Sequence, residues 1–557
     1  MAIGLQIWFN EKMQIPHLAI DIPSGEITPL VNSLLNIIAQ QQQMIESQQE
    51  RIAKLEQDVT KLQEEAQSLK EQLCSAKKLK GKPKIQPSTL NQKEKKTIDL
   101  EQRPGSRKRS KKNQDLVDEE RVIEPVELPE GARFNGYRQY DVQDVIIKRH
   151  SIRFLLAEYV TTEGKTIVGK LPQEYQGHYG PTLKSFILYQ HHQCRVPQNL
   201  IGEQLRELGI DISTGQINRL LVEEKEAFHQ EQNQVLQSGL QTAEYIHTDD
   251  TGARHQGKNG YCTVMGNDLF AHFTTTDSKS RQNYLRILRA PYTDFILNQY
   301  SRSYLIEQEL AACHLSKLDF NNTIICHGDD NWSKYLENLG ITSKQAVKTL
   351  TEAALLGSAI EHGLPPNLII LSDGAKQFAL LSHALCWIHM ERGIRRLQGV
   401  TTQQRTEIDQ VLDDLWVYYR QLKDYQQQPT PEKMAPLQQR FDEIFERHYP
   451  HHYALNLAMK QFCLHKTELL RVLDAPFLPL HTNAAETDIR EYVTRRKISG
   501  GTRNENGRQA RDTFTGLKKT CRKLGISFWQ YLLSRFKQDE IIPARADVIR
   551  TRARSPT

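Results

Sequence analysis

Three acids stand where phosphoryl chemistry could use them. AEYIHTDDTGARH runs as an apolar strand into Asp249 and Asp250, where the strand is expected to end. PNLIILSDGAKQF repeats the form, four apolar residues and then Ser372, Asp373 and Gly374. HTNAAETDIREYVTRRKISGG places Glu486 near the start of a helix, with Arg490 one turn on and Arg495, Arg496 and Lys497 behind it. Cutting or transferring a phosphodiester calls for two divalent cations ~3.5–4 Å apart, one activating the attacking oxygen and one stabilising the leaving oxygen. Mg²⁺ is hard and is usually held by a few carboxylates together with water and substrate phosphate. Two Asp and one Glu on rigid elements would hold two such ions (Mg²⁺ or Mn²⁺), and the Arg and Lys residues would grip the strand being cut. Each acid also has a plainer use. Asp249 and Asp373 suit strand-end turns. Glu486 could answer Asn483 in a capping box or pair with Arg490 at i,i+4. Asp329 and Asp330 in TIICHGDDNW also follow an apolar strand and are rival ligands.

The elements that must carry these acids form an α/β pattern. AEYIHTDDTGARH, GYCTVMGND and LFAHFTTTDS read as three strands with hairpin loops; after a helical crossover comes a fourth strand with an acid at its end. That order is how ribonuclease H-like folds bring two carboxylates together. The reading is an RNase H-like catalytic domain over 241–540, interrupted by helical insertions near 290–365 and 391–480, with a C-terminal tail over 541–557. Residues 181–240 are all helical. VPQNLIGEQLRELG ends at Gly209, IDIS turns, and STGQINRLLVEEKEAF begins with Ser213 as N-cap and Gln216 three residues on. This is the layout of a helix-turn-helix, whose second helix would offer Thr214, Gln216, Asn218 and Arg219 to base edges or phosphates. Over 126–180 the chain reads as a small β-hairpin region turning near Gly164. Its GKT is not a phosphate-binding loop, because Tyr159 stands where GxxxxGK[ST] needs its first Gly.

The first third of the chain points to partners. After a tail over 1–26, residues 27–77 carry a heptad seam. Its a positions are Val31, Ile38, Ile45, Ile52, Val59, Ala66 and Leu73; its d positions are Leu34, Gln41, Gln48, Leu55, Leu62, Leu69 and Ala76. β-Branched residues at a with Leu at d favour a parallel two-stranded coil, so a homodimer or higher homo-oligomer is expected. The basic linker, 78–125, follows. Between Lys77 and Lys112 fourteen Lys or Arg face three acids, an excess far above the +6 of the whole 557-residue chain. A basic run of this kind, including Arg107, Lys108 and Arg109, suits a polyanion, and double-stranded DNA above all. With 38% hydrophobic and 25% charged residues the chain is neither disordered nor membrane-spanning. The eight cysteines form no CxxC pair and the first residues show no secretory signal, so a reducing cytoplasm is expected.

HTDDTGARHQGKNGY, LSDGAKQFALLSHALCWIHMERGIRRL and TNAAETDIREYVTRRKISGGTRNENGRQARDTF together resemble bacterial transposases of the IS66 insertion-sequence type. The resemblance spans the coil, the basic region, the helix-turn-helix and all of 240–540. It implies a DDE core with Asp249, Asp373 and Glu486 as the metal-holding triad, and Cys386 and His389 as the family's C-x-x-H signature. Gln216, Arg219, Arg490, Arg496 and Lys497, with the basic linker, would meet DNA. It implies a nucleoid-associated bacterial enzyme that cuts element ends and joins them to target DNA, with or without accessory proteins. Two departures stand out. Asp249-Asp250-Thr251 replaces the Asp-Glu-Thr of many relatives, and no Cys occurs between Cys74 and Cys194, where many carry a zinc finger. A transposase-derived DNA-binding protein without catalysis, and an RNase H-like nuclease that only hydrolyses, are the alternatives.

Overall fold

The computed structural model describes residues 29–76 and, apart from positions 126, 128, 139, 141, 143, 176 and 540, residues 117–554. Arg107, Lys108 and Arg109 lie outside the described residues. In chain order the elements are helix α1 (Pro29–Ala76), hairpin strands β1 (Glu158–Val160) and β2 (Thr166–Val168), and helices α2 (Pro181–His192), α3 (Gln198–Glu207), α4 (Thr214–Val222) and α5 (Glu226–Thr242). Strands β3 (Tyr245–His255), β4 (Lys258–Gly266) and β5 (Ala271–Thr276) follow, then α6 (Arg281–Arg289), β6 (Asp294–Leu297), α7 (Gln299–Glu307) and α8 (Ala312–Leu315). Next come β7 (Ile324–His327), α9 (Gly328–Asn338), α10 (Lys344–Glu361), β8 (Ile369–Ser372) and β9 (Ser382–Leu385). Helices α11 (Trp387–Arg395), α12 (Thr402–Gln427), α13 (Pro431–Phe445), α14 (Tyr453–Leu464), α15 (Lys466–Leu469) and α16 (Arg471–Asp474) precede α17 (Asn483–Ser499), α18 (Glu505–Lys523), α19 (Phe528–Lys537) and α20 (Arg545–Arg554).

The fold is mixed α/β, and the chain divides into two units. One holds residues 1–79 and 387–480, the other 80–386 and 481–557. The second is built on a five-stranded mixed sheet of order β5-β4-β3-β8-β9, antiparallel among β3, β4 and β5 and parallel among β3, β8 and β9. β8 is buried along its whole length, and its apolar run Ile369–Leu371 is what an interior parallel strand requires. Ile246, Met265, Phe270 and Ile370 share a core with Val235 of α5, Leu285 of α6 and Leu350 and Leu355 of α10. α10 is buried nearly all round from Thr349 to Ile360, as its almost uniformly small and apolar sequence demands. Ala253, Cys262, Val264 and Phe273 form a separate cluster with Ile489 and Tyr492 of α17. Two strands escape the sequence reading: β9, which extends the main sheet, and β6, which lies in a stretch expected to be mostly helical and pairs with β7, the apolar strand before Asp329. Both are four residues long, too short for periodicity to mark them.

The GKT lies in the β1–β2 hairpin, with Gly164 at φ +76° and Lys165 N donating to Thr161 Oγ1 at 3.0 Å. Helices α2–α4 share their core (Ile187, Ile201, Ile217) with Phe514 and Leu517 of α18 and Tyr531 of α19. In the other unit Trp387 is the centre. Its ring lies among Tyr418, Phe441, Phe445 and Phe462 at centroid distances of 5.6 to 6.3 Å, and its indole N–H donates to Leu469 O at 3.0 Å. The long α1 belongs to this unit. Glu64 accepts from Ala454 N at 2.9 Å, an orphan donor in the first turn of α14, and from Gln404 Nε2 at 3.3 Å. Glu64 is an f position, so the a/d seam points elsewhere. Ile52, Leu55, Val59 and Leu62 are all more than half exposed. Among the described residues, no helix is long and apolar enough to cross a membrane.

Candidate active site

Asp249 and Asp250 do not end their strand. β3 runs six residues past Asp249 to His255, because it continues as a hairpin with β4 through Gln256 (φ +49°) and Gly257 (φ +76°). What ends is the parallel ladder to β8, whose last pair is His247↔Leu371. Two residues further along each chain stand Asp249 and Asp373, level with one another where the two strands part. Parallel pairing across a crossover of more than a hundred residues thus brings two distant acids side by side. Both also serve locally. Asp249 Oδ1 accepts from Asp250 N at 2.7 Å, and Asp373 Oδ1 accepts from Ala375 N at 3.1 Å in a turn that needs Gly374 at φ +96°. The turn-former role and exposure therefore coexist at Asp373, which faces solvent.

Helix α17 supplies the third acid. Residues 249, 251 and 253 share one face of β3 by strand alternation. Their partners across β4 are Val264, Cys262 and Gly260. That face carries the cluster of Ala253, Cys262 and Val264 with Ile489 and Tyr492. Glu486, half-buried in the first turn of α17, lies at i−3 from Ile489 and so on the same helix face. The N-cap of α17 is Thr482, whose carbonyl accepts from the Glu486 amide, so Asn483 is the first helical residue and not the cap that a capping box with Glu486 calls for. Tyr492 O–H meets Thr275 Oγ1 at 2.9 Å, and burying Ile489 and Tyr492 contributes roughly 1.5–3 kcal/mol each to holding α17 on the sheet.

A buried ionic strut fixes the remaining freedom. His247, two residues before Asp249, meets Asp488, two residues after Glu486, at 3.3 Å. Lys523 and Lys519 of α18 approach the same carboxylate at 2.8 and 3.4 Å. Burial disfavours the charge on Asp488, but the His247 bond and Lys523 outweigh it and bring its pKa down to about 2. Burial also lowers His247, which is then a neutral donor at neutral pH. Sequence reading missed this strut: an Asp and a His 241 residues apart carry no local signal.

Cys386 is buried, and its Sγ accepts from Thr482 N at 3.3 Å, the residue that caps α17. His389 is in the other unit, at the start of α11, where its Nε2 and Arg392 Nη1 lie 3.1 Å apart. Arg490 and Lys497 are exposed on α17. Arg496 reaches over β3: a Cβ added at Gly252 would come within 3.3 Å of its Nη1. The rival acids go elsewhere. Asp329 and Asp330 lie in the first turn of α9, beside the β6–β7 pair and off the main sheet. Asp329 is paired with Arg286, whose bond holds its carboxyl below the ordinary range. Asp250 is likewise engaged, by Lys279 and by Gln377 Nε2 at 2.8 Å. Among the described residues, no group of three or more His, Cys, Asp or Glu is close enough to hold a metal ion.

On the second helix of the α3–α4 pair, Ser213 Oγ accepts from Gln216 N at 3.1 Å, as the capping pattern requires. The Gln216 side chain accepts from Arg219 Nη1 at 3.3 Å, and Asn218 accepts from Gln198 at 3.0 Å. Thr214 and Arg219 are left exposed. His191 and His192 of α2 turn into the protein: His191 Nδ1 meets Val196 O at 3.0 Å and His192 packs 4.4 Å from the Phe514 ring.

The profile of the family described as "Transposase IS66 family" matches residues 176–302 and 369–510. These two segments contain all five strands of the main sheet and α17, while the stretch between them contains the crossover with β7, α9 and α10. The chain is also 41% identical over 307 residues to the uncharacterized protein y4jO of Sinorhizobium fredii (strain NBRC 101917 / NGR234), covering 55% of this chain and 95% of that protein. With the matched segments falling on the sheet and on the helix that carry the three acids, the chain belongs to the IS66 transposase family.

Proposed function

We propose that this protein is a DDE transposase with an RNase H-like core, in which Asp249, Asp373 and Glu486 hold two Mg²⁺ (or Mn²⁺) ions. The observation that carries the reading is the level placement of Asp249 and Asp373 on neighbouring parallel strands, under the helix that bears Glu486. The donors suit a hard ion. They are carboxylates near the point where the β3–β8 ladder stops, Asp373 exposed and Asp249 and Glu486 half-buried, and Mg²⁺ normally completes its shell with water and substrate phosphate. When bound, such ions supply charge stabilisation at the attacking and leaving oxygens. The protein's part is positional. β3 and β8 fix two carboxylates, the His247–Asp488 strut fixes the third, and Arg490, Arg496 and Lys497 neutralise phosphates along α17. Water attacks the phosphodiester at the element end and releases a 3′-OH. That hydroxyl then attacks a target phosphodiester in line, joining the element and expelling a target 3′-OH. Arg219 and Gln216 of α4 read the end sequence, and the basic linker with Arg107, Lys108 and Arg109 adds sequence-independent attraction. Two copies associate through the exposed seam of α1 in the cytoplasm, on double-stranded DNA.

The test is Asp249→Asn, Asp373→Asn and Glu486→Gln, assayed with Mg²⁺ or Mn²⁺ on intact and pre-nicked end duplexes. Each change keeps size and removes the anionic ligand, so cleavage and joining should both vanish while end binding stays or tightens. Activity in Asp373→Asn together with its loss in Asp329→Asn or Asp330→Asn would overturn the assignment. Hydrolysis without joined products would reduce the enzyme to a nuclease.

A further inference from the structure

The loop between β5 and α6 brings a cation to the acids that no motif announces. Lys279 pairs with Asp250 Oδ1, and its ammonium lies 5.2 Å from the centroid of the Tyr261 ring. The other Asp250 oxygen accepts from Gln377 Nε2 at 2.8 Å, four residues past Asp373. Asp250 is therefore a clip between β3, the turn after Asp373 and the Lys279 loop. That loop is braced: Asn283 Nδ2 donates to Asp277 Oδ1 and Ser278 O, both at 3.1 Å, and Ser280 caps α6. Arg281, two residues on, donates to Lys376 O at 2.6 Å and so ties the same loop to the same turn. The Lys279 side chain is nevertheless 44% exposed, whereas that of Asp250 is 6% exposed. Partial burial opposes the charge on Lys279, but Asp250, Asp373 and Tyr261 outweigh it and raise its pKa.

We infer that Lys279, held by Asp250, is a binding residue for a DNA phosphate at the cut site, and that Asp250 positions it there. The inference rests on the reading of Asp249, Asp373 and Glu486 as the reacting centre. A phosphodiester entering beside three carboxylates meets strong repulsion, and a fixed, half-exposed ammonium paired with Asp250 and within electrostatic reach of Asp373 offsets part of it. A lysine that only neutralised Asp250 would not need a braced loop to hold its head group toward solvent.

The experiment uses the full chain and a duplex carrying the terminal sequence that flanks its coding region, in single-turnover cleavage at saturating DNA. Lys279→Met should slow cleavage by about 10- to 100-fold, the loss of one charge-assisted contact, with end-binding affinity changed by less than about threefold. Lys279→Arg should recover part of that rate. Replacing phosphates near the cut one at a time by neutral methylphosphonate should reveal one position where the unmodified protein slows and Lys279→Met suffers no further loss. Because the scan on the unmodified protein needs no variant, it stands even where a variant folds poorly. The double variant Asp250→Asn/Lys279→Met separates the two roles: it should stay as slow as Lys279→Met. Recovery of the double variant, or a Lys279→Met enzyme as fast as the unmodified one, would overturn the inference and leave Lys279 a counter-ion only. Cleavage that survives Asp249→Asn would instead sink the reading of the reacting centre.

Discussion

Glu491→Gln is the perturbation whose size follows most directly from the structure. Glu491, on α17 with a side chain only 9% exposed, bonds Arg195 Nε and Nη2, both at 2.9 Å, and Lys518 Nζ at 2.6 Å. It joins the segment after α2 to α17 and α18. Burial alone would raise its pKa, yet the Arg195 bond and Lys518 bring it from an ordinary 4.5 to about 2. Lys518 meanwhile falls to about 8, because burial and the neighbouring Arg495 and Arg195 oppose its charge more than Glu491 supports it. The pocket is thus overloaded with positive charge, and Glu491 is what makes it tolerable. A carboxyl depressed from 4.5 to about 2 on folding is worth about 3 kcal/mol above pH 4.5, in the range seen when one partner of a buried pair is removed. Since the folded value is the lower one, that stability is complete above pH 4.5 and is lost as pH falls toward 2, with about 2 kcal/mol gone by pH 3. Urea unfolding followed by circular dichroism should show the variant about 3 kcal/mol less stable at pH 7 and about 1 kcal/mol less stable at pH 3. Asp488 titrates in both proteins and cancels in the difference. A gap below ~1 kcal/mol at pH 7, or one unchanged at pH 3, would refute the reasoning.

Arg219→Ala should weaken binding to element ends by ~1–3 kcal/mol while leaving random DNA unaffected if Arg219 reads a base; equal weakening on both would make it a phosphate contact. If copies associate through the seam of α1 as proposed, Leu55→Lys with Leu62→Lys should leave only monomer in sedimentation without unfolding the unit, because both side chains are exposed while Glu64 on the opposite face keeps its bonds to α14 and α12. Deleting α1 outright is the poorer test, since it removes that cap as well. Asp329→Asn should leave end cleavage within about twofold, its exposed pair with Arg286 being worth little.

Local signals in the sequence determined the parts. Apolar runs ending in Asp marked β3 and β8, Ser213 marked the start of α4, and the heptad marked α1, because each depends on neighbours within a few residues. The register of a strand against a partner more than a hundred residues away leaves no such trace. Sequence reading therefore placed the acids at strand ends, whereas β3 continues as a hairpin and only its pairing with β8 stops there. The same limit hid Asp488, Lys279, Gln377 and Glu491, whose partners come from other elements. Tertiary structure alone decided which acids are neighbours, because adjacency is set by the burial of whole faces: β8 against β3, and Ile489 and Tyr492 against Cys262 and Val264. It also placed Asp329 and Asp330, which follow an apolar strand as faithfully as Asp373 does, after a strand that pairs with β6 in a separate sheet.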